Sequence, residues 1–296
     1  AGYGSTGPHS KRPAMYPIGG CISGGALGQL GQGLPPPPEQ DMTMEEVMEV
    51  SRMIGRAQEV NPDLTTGMVA ATSVVMGLYT RSRFGIAQYL EPTLIGASAY
   101  ACVDDFYDYP GRHPRPLADP EGYGLHALYR LYRAYESWLF LACPMPGDWE
   151  GLCAALGRED LAEDARFADA DARCKNDKEL AAELGSIFAS KNAQDWEQEL
   201  SALDVGCVQA EERSMYHFAL EDPQVKANHF TTELDHIRFG RYWRHSPGIS
   251  MSETPCIVGP GPLKGQHTAP ILRELGYSEA DIKELKAEDV IDWDDP

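Results

Sequence analysis

Between Leu64 and Tyr79 apolar residues recur on nearly every face of a helical wheel: Met68, Val69, Ala70, Ala71, Val74, Val75, Met76 and Leu78. A helix that is apolar all round offers no face to water, so this pattern predicts a helix buried on all sides. The rest of the chain has to close around it. Pro62 breaks the chain ahead of the helix and Gly85 is placed to end it. Asp63 stands directly before the apolar run, in Asn61-Pro62-Asp63-Leu64-Thr65-Thr66-Gly67. That is where an N-cap would stand, and free amides and the positive helix end favour the anionic carboxylate there. One reading is simple capping, worth about 1 kcal/mol to the helix. The other is a carboxylate nucleophile.

Composition narrows the classes. The chain has 296 residues, 43% apolar, ample for one large or two smaller domains. A net charge of −20 disfavours nucleic acid and anionic membrane surfaces as partners, since both would be repelled. The seven cysteines (21, 102, 143, 153, 174, 207 and 256) are odd in number, form no CxxC, and several lie in apolar runs. They read as reduced core thiols of a cytoplasmic protein, with Cys153 or Cys207 as a nucleophile the minor alternative. No signal peptide or run of about 18 apolar residues is visible. The histidines lack metal-ligand spacing, and no metal is expected. The chain starts Ala1-Gly2 rather than with Met, so its start need not be a gene start.

Along the chain, residues 1–34 are glycine-rich and Pro35 to Pro38 form a stiff spacer. Thr43-Met44-Glu45-Glu46 is a capping box opening a helix through about Val60. A second packed helix is expected from Thr93 to Val103. Residues 108–124, rich in Pro and Gly, are the best linker. Beyond it a buried strand is expected at Trp138–Ala142. Helices follow at about 148–156, 177–190 and 193–203, the last with Asn192 as N-cap. Gly206-Cys207-Val208 is a short strand, and Phe230–His236 with Arg241–Arg244 form a two-stranded return. Thr268 opens a helix that closes at Gly276, and Ser278-Glu279-Ala280-Asp281 opens the next.

Several segments together resemble the class III CoA-transferases, the superfamily of formyl-CoA transferase, carnitine CoA-transferase and α-methylacyl-CoA racemase. Gly2-Tyr3-Gly4-Ser5-Thr6-Gly7-Pro8 is similar to the family's G-(F/Y)-G-x-x-G-P segment. The Asp63 segment and the helix ending at Gly85 and Gln88 resemble its nucleophile region. Tyr129 to Trp138, Asp164-Ala165-Arg166-Phe167, Asp222-Pro223-Gln224 and Gly265-Gln266-His267-Thr268 follow in the family's order. Each is weak alone; the order and spacing are not. Three departures accompany the likeness. The family's long N-terminal stretch, carrying the first Rossmann strands and most of the CoA nucleotide pocket, is not in this sequence, which could be a fragment, a split subunit or part of a tandem fusion. The racemases' G-H-D histidine is missing at Ala14-Met15-Tyr16. The G-R-G-Q turn reads Gly85-Ile86-Ala87-Gln88.

The resemblance implies an α/β fold with a Rossmann-like large domain (1–107 and the return 238–296), a linker (108–124), a smaller α+β domain (125–237), and an interlocked dimer. It implies transfer of CoA from an acyl-CoA thioester to a carboxylic acid, with Asp63 as covalent nucleophile and no metal. A chain supplying the N-terminal half is the alternative to a homodimer. Gly2, Gly4 and Gly7 could line the CoA channel or form ordinary turns, and Tyr3 could close over the thioester or sit in the core. Arg81 and Arg83 could meet CoA phosphates or complement the helix dipole. His267 is a general base or, more simply, part of a helix start. The rivals are an α-methylacyl-CoA racemase-like isomerase, which needs a second proton-transfer group, and a non-catalytic subunit of a split CoA-transferase.

Overall fold

The structure is a computed structural model, and it describes residues 1–15, 22, 24, 30–33, 42–48, 62–112 and 115–294. The chain is mixed α/β and divides into two compact units, Ala1–Ala210 and Glu211–Pro296. Among the described residues both sheets are antiparallel.

In the first unit, helix α1 spans Pro62–Phe84 and α2 spans Leu94–Ala101. Thr93 caps α2 by accepting the Gly96 N–H. The two helices pack against each other. Gly85, in the left-handed region at φ 70°, ends α1 with its N–H on the Arg81 carbonyl. The all-round burial expected for α1 is not found. Leu64, Met68, Val75 and Tyr79 are 67, 73, 66 and 60% exposed. Only a stripe through Thr65, Thr66, Val69, Ala70, Ser73, Gly77 and Thr80 is partly covered. That spacing is one face of a helix. Composition sets how apolar a helix is, but not which chain covers it.

The rest of the first unit is built on a sheet of β1 (Gly124–His126), β2 (Tyr129–Arg133), β3 (Trp138–Ala142) and β4 (Cys207–Gln209), in that order. Leu139 and Leu141 alternate inward from β3 and are fully buried. Helices α3 (Asp148–Leu156), α4 (Glu159–Glu163), α5 (Ala170–Lys175), α6 (Asp177–Phe188) and α7 (Ala193–Ser201) accompany the sheet. Helix α6 packs on β2, and α7 on β3 and β4. Leu180, Leu184 and Phe188 are spaced by four along α6 and all reach the core. The Trp196 indole donates to the Phe188 carbonyl at 2.9 Å, so its one polar atom is satisfied inside. Strand β1 begins at Gly124, where a Cβ would lie 2.3 Å from the Tyr129 carbonyl oxygen. Glycine is needed there for the strands to meet.

The second unit holds α8 (Met215–Glu221), α9 (Pro223–Ala227), a hairpin of β5 (Thr231–His236) and β6 (Gly240–His245), α10 (Thr268–Glu274) and α11 (Glu279–Ala287). Ser278 and Asp281 form a reciprocal capping box on α11. The Thr43–Glu46 box is also formed: Thr43 N–H donates to Glu46 at 2.8 Å. Helix follows it at 44–48; its expected continuation towards Val60 and the Pro35–Pro38 spacer lie outside the described residues.

Candidate functional site

Pro62 is the first residue of α1 and Asp63 the second. Asp63 therefore lies inside the first turn rather than at the N-cap. Proline is pre-organised for that first position because it lacks the N–H that the helix would leave unpaired. The carboxylate one residue on still faces the positive helix end. Asp63 is exposed to solvent.

The glycine-rich start is anchored elsewhere on this unit. The Ala1 and Gly2 carbonyls accept the Leu94 and Ile95 N–H groups at the start of α2. Gly4 and Gly7 sit at φ 95° and 90°, which glycine tolerates and other residues resist. A Cβ on Gly2 would lie 1.9 Å from the Ala14 Cβ, so close backbone approach also selects glycine there. The Tyr3 ring meets His9 edge-on, centroids 6.2 Å apart.

Arg81 and Arg83 occupy the last turn of α1. At about 1.5 Å per residue, Arg81 lies about 27 Å along the axis from Asp63. Arg83 leans over the Phe84 ring, 5.8 Å from its centroid. Among the described residues Asp63 shares no hydrogen bond or ion pair with Gly2, Tyr3, Gly4, Gly7, Arg81 or Arg83. The seven candidates thus fall in three places: the start of α1, its end, and the segment against α2.

Other motif residues do structural work. Asp222 caps α9, accepting Gln224 and Val225 N–H groups, with Pro223 in the first turn. Asp164 holds the Arg166 guanidinium at 2.7 Å while Phe167 is fully buried. Gly265 (φ 64°) passes so close to Asp292 that a Cβ would meet its carbonyl oxygen at 2.0 Å. The His267 carbonyl accepts the Ile271 N–H at the start of α10.

The cysteines divide by environment. Cys102, Cys143, Cys153 and Cys207 are buried, but Cys174 and Cys256 are exposed, so the reading of all as core thiols holds only in part. Cys21 lies outside the described residues. Burial pushes the Cys153 and Cys207 thiols up to about 12, which removes thiolate character from both. Among the described residues no cluster of His, Cys, Asp and Glu is arranged to hold a metal ion. No described helix is long and apolar enough to cross a membrane.

Sequence reading missed a cleft of about 360 Å3 in the first unit, where His126, Arg173 and Asp177 meet. His126 stands about fifty residues before the other two, so no local pattern links it to them.

Residues 1–268 match the CoA-transferase family III, and the chain belongs to that family. It is similar to mouse succinyl-CoA:glutarate CoA-transferase, 25% identical over 98% of this chain and 62% of that protein. It also resembles Haloarcula hispanica succinyl-CoA:mesaconate CoA-transferase, 28% identical over 78% of this chain and 58% of that protein. The crystal structure of Rv3272 from Mycobacterium tuberculosis superposes with a TM-score of 0.66 at 23% identity, covering 91% of this chain and 66% of that one. A CAIB/BAIF family protein from Brucella suis gives the same TM-score at 22% identity over 93% of this chain and 66% of that one. The chain spans about 60–66% of the length of the first curated relatives it matches.

Proposed function

We propose that this chain is the nucleophile-bearing part of an enzyme that moves CoA from an acyl-CoA thioester to a carboxylic acid, with Asp63 as the covalent nucleophile. The observation that carries the reading is Asp63 in the first turn of α1, directly behind Pro62, inside the residues that match the family. Two relatives named above as CoA-transferases acting on succinyl-CoA support the substrate class.

An Asp63 oxygen attacks the thioester carbonyl carbon, and the tetrahedral adduct expels CoA thiolate to leave a mixed anhydride. The thiolate then attacks the aspartyl carbonyl, releasing the donor as its carboxylate and leaving an aspartyl–CoA thioester. The acceptor carboxylate attacks that thioester and expels thiolate, which attacks the acceptor's acyl carbon and frees Asp63. Each step breaks one acyl bond as it makes another, so no redox partner is required. The positive end of α1 lies beside Asp63, and amides of the helix start or of the Gly2–Gly7 segment would serve as donors for the oxyanion. CoA is elongated, with its thioester remote from its phosphates. Arg81 and Arg83, remote from Asp63, fit phosphate contacts rather than the reacting end.

A mixed anhydride must be shielded from water, yet Asp63 and the apolar faces of α1 are open in this chain. The cover we propose is a second polypeptide segment, from an interlocked homodimer or from a chain carrying the N-terminal half. In that assembly residues 1–107 and 238–296 belong to a Rossmann-like large domain and 125–237 to a smaller one joined through 108–124, in the cytoplasm. No metal takes part.

The test is covalent trapping on the natural assembly. It is incubated with a panel of acyl-CoAs, quenched with hydroxylamine, and the Asp63 peptide weighed by mass spectrometry. A hydroxamate at Asp63 is expected. An unmodified Asp63 with CoA demonstrably bound would move the assignment to proton-transfer chemistry or to a non-catalytic subunit.

A further inference from the structure

The cleft bounded by β1, the segment after β3, α5 and the start of α6 is lined by His126, Cys143, Met145, Arg173, Cys174 and Asp177, among others. Its volume of about 360 Å3 is at the small end of ligand sites. Arg173 is half-buried there. Its Nη1 donates to the Phe167 carbonyl at 2.9 Å, and its guanidinium lies 5.4 Å from the Trp149 ring centroid. These contacts fix its position without neutralising it: among the described residues Arg173 forms no ion pair. Neighbouring Arg158 and Arg166 each hold a carboxylate at 2.7 Å. An unpaired guanidinium is notable in a chain with 45 acidic and 25 basic residues.

The two other polar groups complete the chemistry. His126 Nδ1 accepts the Leu128 N–H at 3.3 Å, which leaves the proton of the neutral ring on Nε2 as a donor. The Asp177 carboxylate is engaged by the Ala127 N–H at 2.8 Å and begins α6, where the helix end offsets its charge. Leu125, Leu128, Met145 and Leu180 supply apolar wall.

We propose that this cleft binds a small carboxylate with a short apolar chain, its oxygens on the Arg173 guanidinium and its hydrocarbon against Leu128 and Met145. The site is built entirely from residues 125–180 and is independent of the transfer chemistry proposed for Asp63. A planar guanidinium held by a backbone carbonyl and a ring is suited to a carboxylate, which takes two parallel hydrogen bonds from it.

The test is a methyl NMR titration of the full chain, labelled with 13C at methionine methyls, with the Met145 signal assigned through Met145→Leu. Butyrate, butyramide and butylamine are the probes. Saturable shifts at Met145 with butyrate are expected, with binding weaker by about tenfold or more for butyramide and for the Arg173→Gln chain. Cys174→Glu, at the exposed rim, keeps Arg173 and its packing. It is expected to weaken butyrate in the same direction, and it decides the matter if Arg173→Gln unfolds. Butyrate affinity unchanged in both variants, no shift at Met145, or preference for butylamine would each overturn the proposal.

Discussion

Gly77 lets α1 approach Leu90: a Cβ on Gly77 would lie 2.8 Å from the Leu90 Cδ1. The contact sits on the partly covered stripe of the helix and helps set how α1 is seated against the segment that leads into α2. Because the obstructing atom is the far end of a flexible side chain, the site should tolerate a methyl group. Gly77→Ala is expected to be neutral or up to about 1 kcal/mol stabilising, the helix-propensity gain offset by a rotated Leu90. Gly77→Phe should cost about 1–3 kcal/mol by overpacking. Urea unfolding followed by circular dichroism separates the two.

Asp63→Ala should leave the fold intact, with a stability change of about 1 kcal/mol or less, the usual worth of an acid at an exposed helix start. Transfer activity of the natural assembly should fall by about a thousandfold or more if the carboxylate is the nucleophile. Steady-state rates alongside thermal melts check both halves. A loss of tenfold or less would remove Asp63 from the chemistry.

The exposed side of α1 separates stability from assembly. Val75 is 66% exposed, so Val75→Lys should change the stability of this chain alone by about 0.5 kcal/mol or less. Within the proposed assembly the same charge would be buried without a partner, and association should weaken strongly. Sedimentation velocity over a concentration series reads the difference; unchanged association would place the partner elsewhere.

Phe188 is fully buried, meets the Trp196 ring edge-on at 5.4 Å, and offers its carbonyl to the same indole. Phe188→Ala should destabilise the first unit by about 3–5 kcal/mol. Denaturant unfolding monitored by tryptophan fluorescence measures it.

Burial pushes Cys143 up to about 11 and Cys153 and Cys207 to about 12, from an ordinary value of 9.0. The folded chain therefore keeps these protons at pH values where the unfolded chain has lost them. The stabilising contribution is fully present below about pH 9 and is lost as pH rises through the folded values. The urea midpoint should fall between pH 8.5 and 10.5. At pH 8 a thiol reagent should modify Cys174 and Cys256 natively, and Cys143, Cys153 and Cys207 only after unfolding, as peptide mapping would show.

Local chemistry made much of the architecture readable. The strand at Trp138–Ala142, the helices near 148–156, 177–190 and 193–203, the two-stranded return and the Ser278 box all appear within a few residues of their expected places. Each rests on alternation, 3.6-residue periodicity or a capping residue, all set by neighbours in the chain. Strand β1 was hidden because a three-residue edge at Gly124 carries a linker's composition. The exposure of Cys174 and of α1 was hidden because exposure depends on what packs against a residue.

The sequence by itself determined the family, through the order of its motifs from Gly2 to Thr268, and the position of Asp63 behind Pro62 at the start of a long helix. Only the tertiary structure decided that α1 is covered along one stripe and that His126, Arg173 and Asp177 share a cleft. Helix periodicity and capping are short-range, acting over about four residues. Burial and the meeting of distant side chains depend on packing between segments far apart in the chain, which no local pattern encodes.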